Sequence, residues 1–307
     1  MNRSLPILLL SVFLATGCTV EPNTPSAPTA SATPSPTLPP TPSPTPSPSP
    51  EMLSGPNAIP SDTRVVVNIP AYRMDIFQKG SLIKTYKIGI GYPKFPLPQG
   101  LRTADTIIFN PTWTVPDESW AAGMKNVRVG ETVEAGSKHN PLGIIKIPIG
   151  LPSLIHGGKA PAKIGKFASH GCVGLTNNQV KDFALRLAAA SGTEIPADRV
   201  ESYLQNRTRT RAVKLNETVP VELRYETIVI EDGELHIYKD VYQQDTNTEK
   251  NLRAVLEAHG LRFEDLPPEK QTELLNGLKS VSKKNEVVVQ VPAEKGYPSA
   301  VELNSGR

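Results

Sequence analysis

The clearest alternation of hydrophobic and polar positions begins near Thr63 and predicts three consecutive β-strands. Apolar side chains alternate or cluster in Val65–Ile69, Met74–Phe77 and Leu82–Ile90, as expected for strands with a buried face. The Lys79-Gly80 pair separates the second strand from the third and is typical of a tight hairpin turn. We therefore expect an antiparallel meander.

The middle of the chain changes to a helical period. After a predicted strand at Ile144–Ile149, the segment Thr176-Asn177-Asn178-Gln179 has the form of a capping box, which satisfies backbone groups at a helix start. Apolar residues then recur at helical spacing up to residue 190, and Gly192 is placed to end that helix. A shorter helix is expected from Ile195 to Gln205, with proline in its first turn.

The C-terminal third is predicted to mix strands and helices. A hairpin is expected between Val219–Tyr225 and Leu235–Val241, joined through Glu231-Asp232-Gly233. The remaining predicted elements are helices at Glu249–His259 and Glu269–Ser280 and a strand at Val287–Val291. The pattern as a whole predicts a mostly β domain, a sandwich or sheet with one capping helix, followed by a small α-rich extension.

The first 17 residues are typical of a secretory signal peptide. A positive charge at Arg3 precedes an apolar run, Leu5–Ala15, that is too short to span a bilayer as a stable helix. The small residues before Cys18 resemble a bacterial lipobox, which predicts cleavage there and lipidation of Cys18. An uncleaved anchor, or an ordinary signal with an accidental cysteine, is the alternative. In either case the protein is exported.

Residues 18–62 are predicted to form a linker. Between Glu21 and Pro50 the composition is reduced largely to proline, serine, threonine and alanine. Such a segment cannot bury a core and extends at about 3 Å per residue. We expect it to separate a membrane anchor from the folded part.

Charge and cysteine content narrow the possible chemistry. The formal net charge of +3 over 307 residues is too small to indicate a nucleic-acid partner. Of the two cysteines, Cys18 is assigned to lipidation, which leaves Cys172 without a disulfide partner. An unpaired thiol in an exported protein is a candidate nucleophile. The alternative is a small buried hydrophobic residue.

Cys172 lies in a loop-rich segment, residues 155–175, that also contains two histidines. His156 and His170 are candidate bases for the thiol. Gly171, directly before the cysteine, leaves room for a substrate carbonyl above backbone N–H donors. A zinc site built from His139 and these two histidines is not expected, because their spacing matches no zinc motif and no carboxylate is nearby. His139 is expected in a surface loop.

These residues resemble the signature of the YkuD-like L,D-transpeptidase catalytic domain. The matching elements, in the family's order, are His156-Gly157, Ile164-Gly165 and Ser169-His170-Gly171-Cys172-Val173. Three weaker resemblances precede them: Pro96–Gly100 to a proline and glycine bend, Asn110–Pro116 to an NPxWxxP loop, and Asn140–Gly143 to an NPLG loop. This sequence departs from the family at Gly174, where members usually carry arginine or asparagine. That leaves one polar substrate contact open.

The resemblance implies a β-sandwich-like catalytic domain at 63–242. It does not reach the extension at 243–307, which we expect to pack on this domain, a regulatory or wall-binding role being the alternative. The resemblance also implies that Cys172 is the nucleophile, with Gly157, Ser169, Gly171 and Gly174 at the substrate. The spacing alone favours His170 as the base, since residues two apart in an extended segment share a side. The resemblance points to His156 as the base and places His170 in the pocket.

The implied activity is that of a peptidoglycan L,D-transpeptidase, which forms 3→3 cross-links through a cysteine thioester. We expect peptidoglycan stem peptides and, through the lipid, the membrane as partners, with no cofactor and a monomeric state. An L,D-carboxypeptidase, with water as acceptor, is the nearest alternative. A catalytically idle wall-binding module is the other. Trp113 and Trp120 are candidates for lining a substrate cleft, although aromatic side chains more often pack in a core.

Overall fold

The structure, a computed structural model, describes residues 51–293 and 296–298. The predicted signal peptide, Cys18 and the linker up to residue 50 lie outside this part of the chain. Within it, no helix combines the length and the apolar character needed to cross a membrane.

Fifteen strands and five α-helices form the described part of the chain, which is mostly β. The strands are β1 (Arg64–Asn68), β2 (Arg73–Gln78), β3 (Ser81–Lys87), β4 (Ile90–Gly91), β5 (Gly100–Phe109), β6 (Trp113–Thr114), β7 (Thr132–Val133), β8 (Ile145–Pro148), β9 (Leu154–His156), β10 (Phe167–Ser169), β11 (Val173–Gly174), β12 (Arg211–Arg224), β13 (Ile228–Glu231), β14 (Glu234–Tyr238) and β15 (Glu286–Gln290). The helices are α1 (Ser119–Ala122), α2 (Asn177–Ala190), α3 (Ala197–Gln205), α4 (Glu249–Ala258) and α5 (Pro268–Ser280).

The largest element is an eight-stranded sheet in the order β11-β9-β8-β5-β12-β1-β2-β3. Its β1-β2-β3 edge is the predicted antiparallel meander, which is confirmed. Lys79 and Gly80 both have positive φ, 48° and 80°, as a two-residue hairpin turn requires. Strand β12 closes the centre by pairing parallel to β1 and antiparallel to β5.

Helix α2 packs against this sheet through the apolar face that the sequence predicted. Val180, Phe183 and Leu187 are fully buried in the same hydrophobic cluster as the strand residues. Its capping box is present: Thr176 Oγ1 accepts from the Gln179 N–H at 3.2 Å, and Gln179 Oε1 accepts from the Thr176 N–H at 3.0 Å. The helix start is therefore fixed a few residues beyond Cys172.

The hairpin predicted in the C-terminal third is wrong in its first strand. The turn at 231–233 is present, but it joins β13 to β14, while residues 219–224 belong to β12 of the main sheet. Strand β14 pairs on its other side with β15. Strands β13, β14 and β15 therefore form a sheet separate from the main one. The domain limits 63–242 and 243–307 stay a prediction.

The three-stranded sheet β13-β14-β15 and helices α4 and α5 enclose a second hydrophobic cluster. Ile237, Leu252 and Leu274, from a strand and both helices, are all fully buried there. Residues 243–307 contribute α4, α5 and β15 to this cluster, while β13 and β14 come from before residue 242.

Candidate functional site

Two neighbouring strands at the edge of the main sheet carry the predicted catalytic residues. Strands β9 and β11 run parallel, with Val173 opposite Ile155 and Gly174 opposite His156. Val173 and Ile155 are fully buried in the core. Because side chains alternate along a strand, His156 and the neighbouring Cys172 face the other side of the sheet. The structure therefore brings the histidine of the HG pair and the cysteine to one face.

The backbone around Cys172 is held by buried hydroxyl groups. Ser169 Oγ donates to the Cys172 carbonyl at 2.5 Å and accepts from the Cys172 N–H at 3.1 Å. Ser153 Oγ donates to the Gly171 carbonyl at 2.9 Å. Gly171 has φ of +89°, a conformation that side chains rarely adopt. Ser169, predicted as a substrate contact, thus has its side chain directed at the backbone of the nucleophile.

The thiol of Cys172 is unpaired and half-buried. Burial raises the pKa of Cys172, while a hydrogen bond with the Leu154 backbone and the positive charge of Lys159 lower it in part. The resting side chain is therefore a thiol rather than a thiolate at neutral pH.

His156 is only 3% exposed, and its Nδ1 lies 2.8 Å from the Gly157 carbonyl oxygen. A carbonyl accepts, so Nδ1 carries the proton and Nε2 is left as the basic nitrogen. Burial, together with the charge of Lys159, lowers the pKa of His156 to about 3. The imidazole is therefore neutral at neutral pH.

His170 has a different environment, since it is exposed and surrounded by aromatic rings. It stacks on Trp120, with ring centroids 4.0 Å apart and planes 6° from parallel. The rings of Tyr92 and Phe95 also contact the His170 ring, with centroids 5.2 and 5.1 Å from its centroid. Partial burial of the ring and the charge of Lys159 lower the pKa of His170. His170 therefore lines the mouth of the site as a neutral ring.

The glycine of the HG pair is a packing position. A Cβ at Gly157 would stand 2.7 Å from Asn177 Oδ1 and 2.8 Å from Val180 Cγ1, both on helix α2. Asn177 Oδ1 also accepts from the Gly158 N–H at 2.9 Å. The loop after His156 is thus fixed on the first turn of α2, and the close approach requires glycine.

The space above Gly174 is filled by Lys159. A Cβ at position 174 would stand 2.9 Å from both Cγ and Cε of the lysine. The Lys159 N–H donates to the Leu175 carbonyl at 3.0 Å, which fixes the start of the side chain. Burial lowers the pKa of Lys159, whereas its interaction with Cys172 raises it. A cation therefore lies on the face that carries Cys172 and His156.

Sequence reasoning missed Lys159, Ser153, Tyr92 and Phe95 as parts of this site. None belongs to a motif, and Tyr92 and Phe95 are far from Cys172 in the chain. Trp120, a candidate from the sequence, contacts His170. Trp113 is buried behind Trp120, with the centroids of the two indole rings 6.2 Å apart. His139 lies in a half-buried turn. Within 51–293 and 296–298, no group of three or more His, Cys, Asp or Glu residues is arranged to hold a metal ion.

Comparisons with known proteins show what this chain is similar to. Residues 62–208 match the family model YkuD, the L,D-transpeptidase catalytic domain. A relative in Escherichia coli strain K12, the probable L,D-transpeptidase ErfK/SrfK, is 31% identical over 120 residues. That match covers 38% of this chain and 38% of the relative.

Solved structures of L,D-transpeptidases align with about half of this chain at low similarity. The catalytic domain of the E. faecium enzyme is 17% identical, with 54% of this chain and all of that chain covered and a TM-score of 0.34. An L,D-transpeptidase from Mycobacterium tuberculosis H37Rv is 14% identical, with 53% and 57% covered and a TM-score of 0.30. The similarity rests on the family model and on the motifs that it spans. Residues 62–208 are therefore similar to the YkuD L,D-transpeptidase catalytic domain.

Proposed function

We propose that this protein is an exported, membrane-anchored enzyme that forms 3→3 cross-links between peptidoglycan stem peptides. The supporting observation is the pairing of β9 with β11, whose register directs a half-buried thiol and a neutral, buried imidazole toward one face of the sheet. This is the arrangement that cysteine-dependent acyl transfer needs. The substrate class follows from the family of the domain.

In the first half of the reaction, His156 Nε2 takes the proton of the Cys172 thiol as Sγ attacks the donor carbonyl. That carbonyl belongs to the L-centre of the third residue of a stem tetrapeptide. A tetrahedral intermediate forms and collapses to a thioester, and the bond to the terminal D-alanine breaks. His156 returns the proton to the leaving amine. The Gly157 carbonyl holds the imidazole in the tautomer that this step requires.

The oxyanion of that intermediate needs backbone donors near Cys172. The Cys172 N–H already donates to Ser169 Oγ, whereas the N–H of Gly171 forms no hydrogen bond with any residue of the described ranges. We therefore assign the oxyanion first to the Gly171 N–H, and the Cys172 N–H joins only if Ser169 releases it.

In the second half, an amine of a neighbouring stem attacks the thioester carbon. His156 accepts the proton of this amine and gives it to the departing Cys172 sulfur. His170 and Trp120 line the entrance as a stacked pair, a surface suited to the apolar parts of the donor peptide. No cofactor takes part in either half of this scheme.

The test is to incubate the purified protein with tetrapeptide muropeptide fragments and to identify products by mass spectrometry. A cross-linked dimer that has lost D-alanine supports the proposal. A shortened monomer instead identifies an L,D-carboxypeptidase, and unchanged substrate identifies a wall-binding module.

Cys172→Ala is the matched control for this assay. The variant removes one small side chain from a half-buried position and leaves the bonds of Ser169 to the backbone in place. We expect a folded protein with no measurable turnover. Turnover near the parent rate would contradict the thioester mechanism.

A further inference from the structure

The position above Gly174 has two features that the reaction scheme does not use. The Lys159 side chain covers Gly174, and its Cγ and Cε occupy the volume into which any side chain at 174 would project. Strand pairing places Gly174 opposite His156. Gly174 also lies two residues after Cys172 in the chain. The lysine thus lies across the two strands that carry the nucleophile and its base.

Lys159 is also the cation whose charge reaches all three reactive side chains. It acts electrostatically on Cys172, His156 and His170. Both histidines are neutral, because burial lowers the pKa of each. No carboxylate in the described part of the chain forms an ion pair with Lys159, and its other charged neighbour is Lys163. Its positive charge is therefore not neutralised by a partner.

We propose that Lys159 is the counter-charge of the Cys172 thiolate, and that Gly174 is needed to let the lysine lie there. This inference rests on the proposed function, since it concerns the same nucleophile. A histidine held neutral by burial can move the thiol proton but supplies little positive charge in the resting site. The half-buried ammonium group supplies that charge and favours the thiolate as it forms.

The proposal explains the departure from the family signature at this position. A larger residue at 174 would displace the methylene groups of Lys159, and the charge would move with them. Glycine at 174 and lysine at 159 therefore form one functional unit. The polar side chain that family members usually carry on β11 is replaced here by Lys159, which lies in the loop after β9.

The test measures the thiolate directly and does not depend on transpeptidation. The full chain is alkylated with iodoacetamide between pH 5 and 10, and the rate at Cys172 is followed by mass spectrometry. We expect Lys159→Met to raise the midpoint of the pH profile by about 0.5 to 1 pH unit, the scale of one nearby, partly screened charge. Lys159→Arg, which keeps the charge, should stay near the parent.

Lys163→Met is the matched control, since Lys163 lies on the same loop but is exposed. Its midpoint should equal that of the parent. Gly174→Ala should raise the midpoint in the same direction as Lys159→Met, because its Cβ displaces the lysine while all charges are kept. If Lys159→Met does not fold, Lys159→Gln carries the same test with a polar, uncharged end.

Two results would overturn the proposal. One is an unchanged midpoint in folded Lys159→Met or Lys159→Gln, and the other is an equal shift in Lys163→Met. Failure of the proposed function would be observed separately, as a lack of transpeptidase products. A chain without that activity would still show the alkylation profile of its thiol.

Discussion

At the scale of single residues, the two histidines of the site differ in what surrounds them. His156 is buried with its Nδ1 on the Gly157 carbonyl, whereas His170 is exposed and stacked on Trp120. Sequence spacing alone favoured His170 as the base. The strand pairing of β9 with β11 instead places His156 on the face of Cys172, which supports the role that the family resemblance gave to it.

The buried state of His156 predicts a loss of stability in acid. Its folded pKa is about 3, below the unfolded value near 6.5. The unfolded chain therefore binds a proton that the folded protein excludes, and stability falls as pH falls from about 6.5 toward 3. The slope from this residue approaches about 1.4 kcal/mol per pH unit.

Urea unfolding at pH 7, 6, 5 and 4 measures this slope. We expect His156→Gln to show a flatter dependence than the parent, because glutamine takes up no proton. His170→Gln serves as the control and should follow the parent within about 0.5 kcal/mol, since it is an exposed position. Parallel curves for the parent and His156→Gln would show that the imidazole is not held neutral by the fold.

At the scale of elements, the start of helix α2 fixes the loop that follows His156. Asn177 Oδ1 accepts from the Gly158 N–H, and a Cβ at Gly143 would stand 2.3 Å from the nitrogen of Gly158 and 2.4 Å from Asn177 Oδ1. The NPLG loop, the HG loop and the helix therefore meet at a point where there is no room for side chains. This contact explains why the NPLG and HG motifs both place glycine there.

Two glycines with the same backbone angle test this contact. Gly143 and Gly192 both have φ of +69°, but Gly192 has no neighbour within 4 Å of an added Cβ. Both alanine variants carry the strain of positive φ, on the order of 1 kcal/mol. Gly143→Ala should lose about 1–3 kcal/mol more, the usual cost of overpacking.

Thermal and urea unfolding of the two variants provides the comparison, and turnover provides a second measurement. Gly192→Ala should keep the parent activity, while Gly143→Ala should lose much of it because the loop that carries His156 moves. Equal destabilisation by both variants would mean that the two loops and the helix are not in contact.

At the scale of the whole molecule, the C-terminal module is joined to the catalytic sheet by buried polar contacts. Arg73 of β2 forms an ion pair with Glu231 of β13 at 2.8 Å, and both side chains are about 10% exposed. Asn57 donates to the Ile228 carbonyl at 3.1 Å and accepts from the Ile230 N–H at 3.0 Å. These contacts indicate that the module is packed against the catalytic sheet and supports it.

Removal of residues 243–307 should therefore destabilise what remains. The truncation removes β15, the partner of β14, and uncovers fully buried Leu235 and Ile237. Exposed apolar surface and an unpaired strand edge favour aggregation. We expect a lower melting temperature and stronger binding of a hydrophobic dye than for the parent. A truncated chain that melts at the parent temperature would support the predicted boundary at residue 242.

The anchor predicted at Cys18 lies outside the described residues and is tested by fractionation. Cys18→Ala should leave membranes after a high-salt wash, because the linker separates the lipid from the catalytic domain. The released protein should alkylate at Cys172 like the parent. A variant that remains on the membrane would exclude lipid on Cys18 as the anchor.

The sequence by itself determined the features that depend on local interactions. The meander, the Lys79-Gly80 turn and the capped start of α2 follow from alternation, turn preference and capping within a few residues. The motifs around Cys172 and His156 likewise carried the resemblance to the L,D-transpeptidase catalytic domain, whose family model matches residues 62–208. In each case the deciding contacts join residues close together in the chain.

Only the tertiary structure decided which distant segments meet. Strand β12 pairs with β1 and β5, so the C-terminal hairpin uses β13 in its place. No local pattern distinguishes these partners, because both strands are apolar and bounded by turns. Burial likewise set the neutral state of His156, and packing against Gly174 placed Lys159 where its charge lowers the pKa of Cys172. Charge and protonation at a site depend on all the groups that surround it, and these come together only when the chain folds.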